Sequence, residues 1–319
     1  MSVLPPELLE GVVVTGAGSA SDPGLDPRPL LKERKMRKFM GAQDRLALAA
    51  ARAALESAGI APEGPELGPR AGLYLCVGYL PFEREDVDLV CEGSCSPEGR
   101  FDLGAFVGAG YEAINPLLTF RCLSNMPAYH TSTNLGIQGP YVTSYAGRGQ
   151  LYTCLEEALW ALHEGQIERA LWGGVAYQRN FLVEHHLTRV ERPLSSAGET
   201  LPIGDGAGVV VLERFDAALA RGALIRGRPC DLSLDYAPRE PSLPPSEPPR
   251  EVFGPSEWVP SLDLGAASLP VALAAAYASP PDSPGTPRSE APRRGARVHL
   301  HEAWTDDGYR LRSEWEVDA

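Results

Sequence analysis

The chain has 319 residues, 44% of them hydrophobic, enough for one large core or two modest ones. Its 29 basic and 42 acidic residues leave a net charge of −13, which argues against a general affinity for nucleic acid or an anionic membrane surface. No apolar run reaches the roughly 18 residues of a membrane helix, and the opening MSVLPPELLEG lacks the basic and apolar regions of a secretory signal, so a cytoplasmic protein is expected.

In chain order, residues 9–16 contain a short apolar strand, followed by GAGSASDPG. The pattern Gly16-x-Gly18-x-x-Ser21 lacks the third glycine of a dinucleotide loop, and Pro23 stands where a helix should begin; a turn after a core strand is expected. Lys32, Arg34, Lys35, Arg37 and Lys38 form a basic cluster that reads as a solvated face. An alanine-rich helix over 43–57 follows, closed by Gly59. Residues 71–79 read as a buried strand, 80–104 as charged and irregular, and 105–118 as a helix broken near Pro116. A further helix over 123–136 begins at Asn125 and Pro127.

Residues 139–176 form the best-patterned unit. The strand YVTSYA (141–146) leads through Ala146-Gly147-Arg148-Gly149 into a long helix from Gln150, with Leu151, Leu155, Ala158, Leu159 and Leu162 on one face. Gly165 closes it and ALWGGVA is a second buried strand. A sharp strand-to-helix turn exposes one side chain at a helix N-terminus, where many enzymes place a nucleophile. Here that residue is Arg148.

Next come a loop over 191–205, a strand over 206–213, a short helix over 217–221 and a strand over 223–236 interrupted around Pro229. Prolines crowd into 238–260 and 280–292, which read as loops or linkers. Residues 262–278 read as a small-residue helix with Pro270 near its first turn or at a kink. Residues 297–304 and 309–317 are strand-like and flank Thr305-Asp306-Asp307-Gly308, a hairpin signal. Strand–helix alternation with central strands apolar on both faces predicts an α/β fold with a mostly parallel sheet.

Five segments carry a family resemblance: VVVTGAGSAS, RKMRKFMGAQDRLALAAARAALESAGI, LSNMPAYHTSTNLGIQGPYVTSYA, GQIERALWGGVA and LPIGDGAGVVVLERFDAALARGA. Together, over about residues 10–227, they resemble the β-ketoacyl synthases, condensing enzymes of the thiolase fold, with Asp205 where glutamate is usual. The resemblance implies a thiolase-like αβαβα layered fold, here with a truncated second half, working as a dimer. The implied organisation is a ketosynthase-like half over 1–236, a Pro-rich linker over 237–260, and a shortened half over 261–319 made of a helix and a β-hairpin with a Pro-rich loop at 280–294.

The departures from that family decide the functional reading. Counting forward from Gly139-Pro140 and back from Gly173-Gly174 both put Arg148 at the family's nucleophilic cysteine. No His-Gly-Thr triplet occurs, and no histidine lies between His186 and His299. Leu264-Gly265-Ala266-Ala267 resembles the second histidine motif, but Leu262-Asp263 stand where its histidine would lie. Decarboxylative condensation needs a thiolate to hold the acyl chain and imidazoles to assist decarboxylation. A permanently protonated guanidinium cannot form the acyl thioester.

The resemblance therefore implies a non-catalytic subunit, similar to a chain-length factor, that heterodimerises with an active ketosynthase in polyketide or fatty-acid-type biosynthesis and shapes its acyl tunnel. Acyl carrier protein would dock on the partner. No cofactor or metal is expected, since Cys91 and Cys95 in CEGSC lack a second ligand cluster and the adjacent His185 and His186 need not converge. Asn115, Leu118, Phe120 and Met126, within 115–126, are the expected tunnel wall and Tyr141, Thr143 and Tyr145, within 141–146, the expected interface; Arg148 and Gln150 are expected at the tunnel or the interface. Arg148 opposes the helix dipole by ~0.3–1 kcal/mol and so should pair with a carboxylate or reach solvent. Drift of a retired site and a selected ion pair both remain open, as does a gapped match of Gln150 to the glutamine of chain-length factors. Two further readings stand beside this one. One is a divergent acyltransferase using Cys154 or Cys122, which otherwise read as buried thiols; the other is a homodimeric structural protein. His130 matches a structural position of the family.

Overall fold

In the computed structural model, residues 2–190, 192–237, 249–254, 260–278, 297–305 and 308–317 are described. Strands and helices follow in the order β1 (Ser2–Val3), β2 (Val12–Ala20), α1 (Ala42–Ser57), β3 (Ala71–Val77), α2 (Arg84–Gly93), α3 (Leu103–Ala105), α4 (Leu118–Cys122), α5 (Met126–Leu135), β4 (Tyr141–Tyr145), α6 (Arg148–His163), β5 (Arg169–Tyr177) and α7 (Phe181–Leu187). Then come β6 (Asp205–Arg214), α8 (Phe215–Ala220), β7 (Gly227–Tyr236), β8 (Arg250–Gly254), α9 (Ser268–Ala278), β9 (Arg297–Trp304) and β10 (Tyr309–Val317).

The central strands are buried on both faces, and their period of two sorts the side chains. Leu73, Leu75, Leu171, Val175, Val209 and Val211 pack towards α1 and α5. Their neighbours Tyr74, Cys76, Ala170, Trp172, Val210 and Leu212 join a second core with α6, α9 and the C-terminal strands. The strand order is β4-β3-β5-β6-β2-β7-β10-β9-β8, with β1 on β7. β2 and β7 meet only at Val14–Gly227, so β7, β10, β9 and β8 form a separate layer on the far side of α6 and α9.

Pairing is parallel only across β4, β3 and β5; the other ladders are antiparallel, which corrects the expected mostly parallel sheet. A strand covered on both faces carries the same apolar run in either direction, so composition does not encode that choice.

The outer face of the C-terminal layer is polar. Along β10, Leu311, Ser313, Trp315 and Val317 are buried while Arg310, Arg312 and Glu314 point the other way. Arg312 pairs with Asp231 at 3.0 Å, Glu302 at 3.3 Å and Glu314, and Arg228 with Glu316 at 2.8 Å. That charge grid suits water.

Three local readings change. Residues 84–93, read as irregular, form α2, a charged helix without a buried residue and hence without an apolar stripe to announce it. Over 105–118, helical structure is limited to the end of α3, a π turn at Phe106–Gly110 and the first residue of α4, Leu118. Part of the segment read as linker is β8; 238–248 and 255–259 lie outside the described residues, as does the loop at 280–294. β9 and β10 pair as the expected hairpin, with Asp306 and Asp307 outside the described residues. Gly16 and Gly18 belong to β2, where the helix backbone leaves no room for a side chain: a Cβ on Gly16 would fall 2.5 Å from Ala54 O.

Candidate functional site

The bend from β4 into α6 builds the site. Ala146 has φ 51° and Gly147 φ 133°, and a non-glycine residue at positive φ is held only where its surroundings over-determine it. Here Ala146 N donates to Val77 O at 2.8 Å, the Cys76 thiol to Gly147 O at 3.3 Å, and the Ser144 hydroxyl to Gln150 O at 2.9 Å. The fixed bend delivers Arg148, first residue of α6, into the interior with its side chain only 13% exposed.

Two carboxylates receive it. Arg148 Nη2 donates to Asp263 Oδ1 at 2.5 Å. Its Nε lies 2.8 Å from Glu251 Oε2 but off the N–H axis, an ion pair rather than an aligned hydrogen bond. The other Asp263 oxygen is held by Arg192 Nη2 at 3.0 Å, and Gly265 N donates to Oδ1 at 3.0 Å. Burial pushes the Asp263 carboxyl up, but Arg148, the Gly265 N–H and Arg192 outweigh it and hold it below its ordinary value. Burial likewise disfavours the charged guanidinium, yet Glu251 and Asp263 hold Arg148 above its ordinary value. The site is thus a closed set of two cations and two anions, with the carboxylate that sequence analysis expected to meet Arg148 supplied twice from this chain.

The network continues inward. Glu251 Oε1 lies 3.1 Å from His301 Nε2, and His301 Nδ1 lies 2.7 Å from the Tyr152 hydroxyl, itself 2.8 Å from Ser313 Oγ. Gln150 Nε2 donates to the Tyr309 hydroxyl at 2.8 Å. Beside Arg148 a cavity of about 70 Å³ is lined by Gly147, Gln178, Arg192, Asp263 and Trp304 among others. That is far below the ~300 Å³ of a usual small-ligand site.

The expected tunnel residues lie elsewhere. Asn115 is exposed, Leu118 half-buried, and Phe120 exposed with its edge on Phe39 at 5.3 Å; Met126 is buried, and none of them lines that cavity. Tyr141 (64% exposed), Thr143 (half-buried) and Tyr145 (45% exposed) lie on the edge strand β4. Sequence reasoning did not anticipate Glu251, Arg192, Tyr152, His301 or Tyr309. Asp263 was flagged as the residue at the missing histidine, whereas Glu251 lay among prolines read as linker.

Both candidate thiols are poor nucleophiles. Cys154 is buried, which pushes its thiol up, and its sulfur lies 3.0 Å from Ser144 Oγ. Burial, with Asp86 nearby, pushes Cys122 up to about 11. His130 is buried in α5, where desolvation lowers it to about 4, and the His186 ring lies tilted against the Tyr79 ring at 4.6 Å. Among the described residues no three His, Cys, Asp or Glu side chains gather as a metal site, and no helix is long and apolar enough to cross a membrane.

The profile of the beta-ketoacyl synthase N-terminal domain matches residues 5–218. The chain is 28% identical to a pikromycin polyketide synthase component of Streptomyces venezuelae over 216 residues, 64% of this chain but 5% of that protein. It is 31% identical to 6-methylsalicylic acid synthase of Aspergillus niger over 199 residues, 57% of this chain and 10% of the relative. It therefore spans only a small part of these multidomain-length relatives. Among solved structures, a type II polyketide synthase acyl-carrier protein in complex with its hexaketide-bound ketosynthase aligns with TM-score 0.66 at 14% identity, over 96% of this chain and 99% of that one. The ishigamide ketosynthase/chain length factor aligns with TM-score 0.63 at 18% identity, over 97% and 99%. The layered fold is thus the thiolase-like fold of the ketosynthases, and the chain, matched over residues 5–218, belongs to the beta-ketoacyl synthase family.

Proposed function

We propose that this chain is a non-catalytic ketosynthase-like subunit, of the chain-length-factor kind, that heterodimerises with an active ketosynthase in polyketide or fatty-acid-type biosynthesis and helps shape the partner's acyl tunnel. It would work in the cytoplasm and meet acyl carrier protein through that partner. The carrying observation is Arg148: the elbow that presents a nucleophile in this fold presents a guanidinium closed between Glu251 and Asp263. A thiol at that position would face carboxylates, which oppose thiolate formation, and the His301 imidazole is engaged by Glu251 and Tyr152 rather than by the elbow tip. The raised Cys154 and Cys122 thiols count against a displaced acyltransferase.

Edge strand β4 supports pairing. It exposes Tyr141 and Tyr145, and the exposed Phe101, Leu103, Val107, Tyr111 and Leu123 add apolar surface that a lone domain rarely leaves uncovered. Within that assembly Asn115, Leu118, Phe120 and Met126 are the tunnel residues and Tyr141, Thr143, Tyr145 the interface.

Co-expression with candidate ketosynthases, followed by affinity capture and mass detection of acylated peptides, tests this reading. The expected result is a one-to-one complex with acyl label confined to the partner, and no label gained by Arg148→Cys. A stable homodimer that captures no ketosynthase would favour the homodimeric structural protein. An acyl adduct on Cys154 or Cys122 would favour the acyltransferase.

A further inference from the structure

We infer that Arg148 is a clasp that docks the C-terminal strands onto α6, so that the elbow is in use and not merely vacated. The inference concerns this chain alone and stands or falls independently of any ketosynthase partner.

Glu251 and Asp263 come from β8 and from the loop before the 3-10 turn Gly265–Ala267, both beyond the family-matched residues 5–218. One branch of the network closes on itself. Arg148 reaches Glu251, Glu251 meets His301 of β9, and His301 meets Tyr152, one turn further along α6. Tyr152 also reaches Ser313 of β10, and Gln150 reaches Tyr309 at the start of that strand. Residues 148–152 thereby tie β8, β9, β10 and the Asp263 loop to a single helix end.

β7 joins the central sheet through one residue pair, and the backbone bonds of Glu251 to Leu194 and of Asp263 to Pro202 and Gly204 hold these segments to the 194–204 loop without reaching α6. Apolar burial through α9 draws the layer in, but such burial is non-directional and does not choose a register. Paired charges do: a guanidinium has fixed fork geometry, and misdocked strands would leave it buried without its anions. Drift of a retired site does not account for two carboxylates from separate segments converging on one side chain.

The test is amide hydrogen exchange with mass detection on the full chain. Arg148→Met should speed exchange in peptides covering 250–254 and 309–317 by about a hundredfold, as expected for opening a buried ion pair, while β3 and β5 peptides stay unchanged. Since that variant leaves Glu251 without its cation, Arg148→Met/Glu251→Gln is the companion. It keeps the Arg192–Asp263 pair and a hydrogen-bonding partner for His301, so it should fold, yet without the guanidinium its exchange in 250–254 and 309–317 should stay faster than in the wild type. If Arg148→Met fails to fold, the double variant decides: faster exchange confined to those peptides supports the clasp. Wild-type exchange in either variant, or equal loss of protection in β3 and β5, would overturn it.

Discussion

The Tyr309 ring packs directly over the Cα of Gly149, so closely that a methyl group on that carbon would overlap the ring. Alanine normally stabilises a helix by about 1 kcal/mol over glycine. Here the overlap should reverse the sign, because forcing a methyl into a packed contact costs roughly 1–3 kcal/mol. Gly149→Ala should lower the urea midpoint, and pairing it with Tyr309→Ala should remove the penalty of the added methyl. A more stable Gly149→Ala would mean that β10 yields at this point.

Asp44 sets a pH dependence. Burial pushes its carboxyl up to about 8, with the Gly41 N–H and Arg45 opposing, while its unfolded value is near 3.8. Between these values the folded chain holds a proton that the unfolded chain has released, so stability falls as pH rises towards 8. His130 and His299, lowered by burial to about 4 and about 3, are neutral in both states only about a pH unit above their unfolded value of 6.5. The window from about pH 7.5 to 8 is therefore governed by Asp44, with a slope of at most about 1.4 kcal/mol per pH unit. Asp44→Asn should flatten denaturant midpoints across that window. Below pH 6.5 the two histidines act in the opposite sense, and stability should fall with acid.

Thiol labelling should split the cysteines by burial. Cys91, Cys95 and Cys230 are exposed, while Cys76 and Cys154 are buried, with Cys76 pushed up to about 12 by burial. In the native protein at pH 7.5 a maleimide should modify Cys91 and Cys95 within minutes, Cys230, whose thiol is raised by burial, more slowly, and the buried pair only upon unfolding. Fast native labelling of Cys154 would revive the acyltransferase reading.

Tyr141 tests the edge strand. Its side chain is exposed on β4, and a lysine there adds charge to the free edge without touching the core. Tyr141→Lys should change the chain's own stability by less than about 0.5 kcal/mol yet abolish assembly in sedimentation or capture experiments. Unchanged assembly would move the interface away from β4.

Much of this architecture is written locally. Apolar runs such as AGLYLCV and ALWGGVA announce strands covered on both faces, the turn at 146–149 announces the elbow, and Arg148 at its tip already requires an anion. α2 left no such trace, because a charged helix that buries nothing has no apolar period. β8 was masked by flanking prolines, although Glu251 and Phe253 alternate inward as a strand requires.

Local pattern alone establishes that a cationic side chain stands at the start of a long helix and needs a negative partner. The tertiary structure alone decided which carboxylates answer it, because strand direction and the meeting of residues 115 positions apart, as in Arg148 and Asp263, leave no periodic signature in the chain. They follow from how α6 and α9 are enclosed between two sheet layers, a packing that sets the tip of the elbow against Glu251 of β8 and Asp263 of the loop before Gly265.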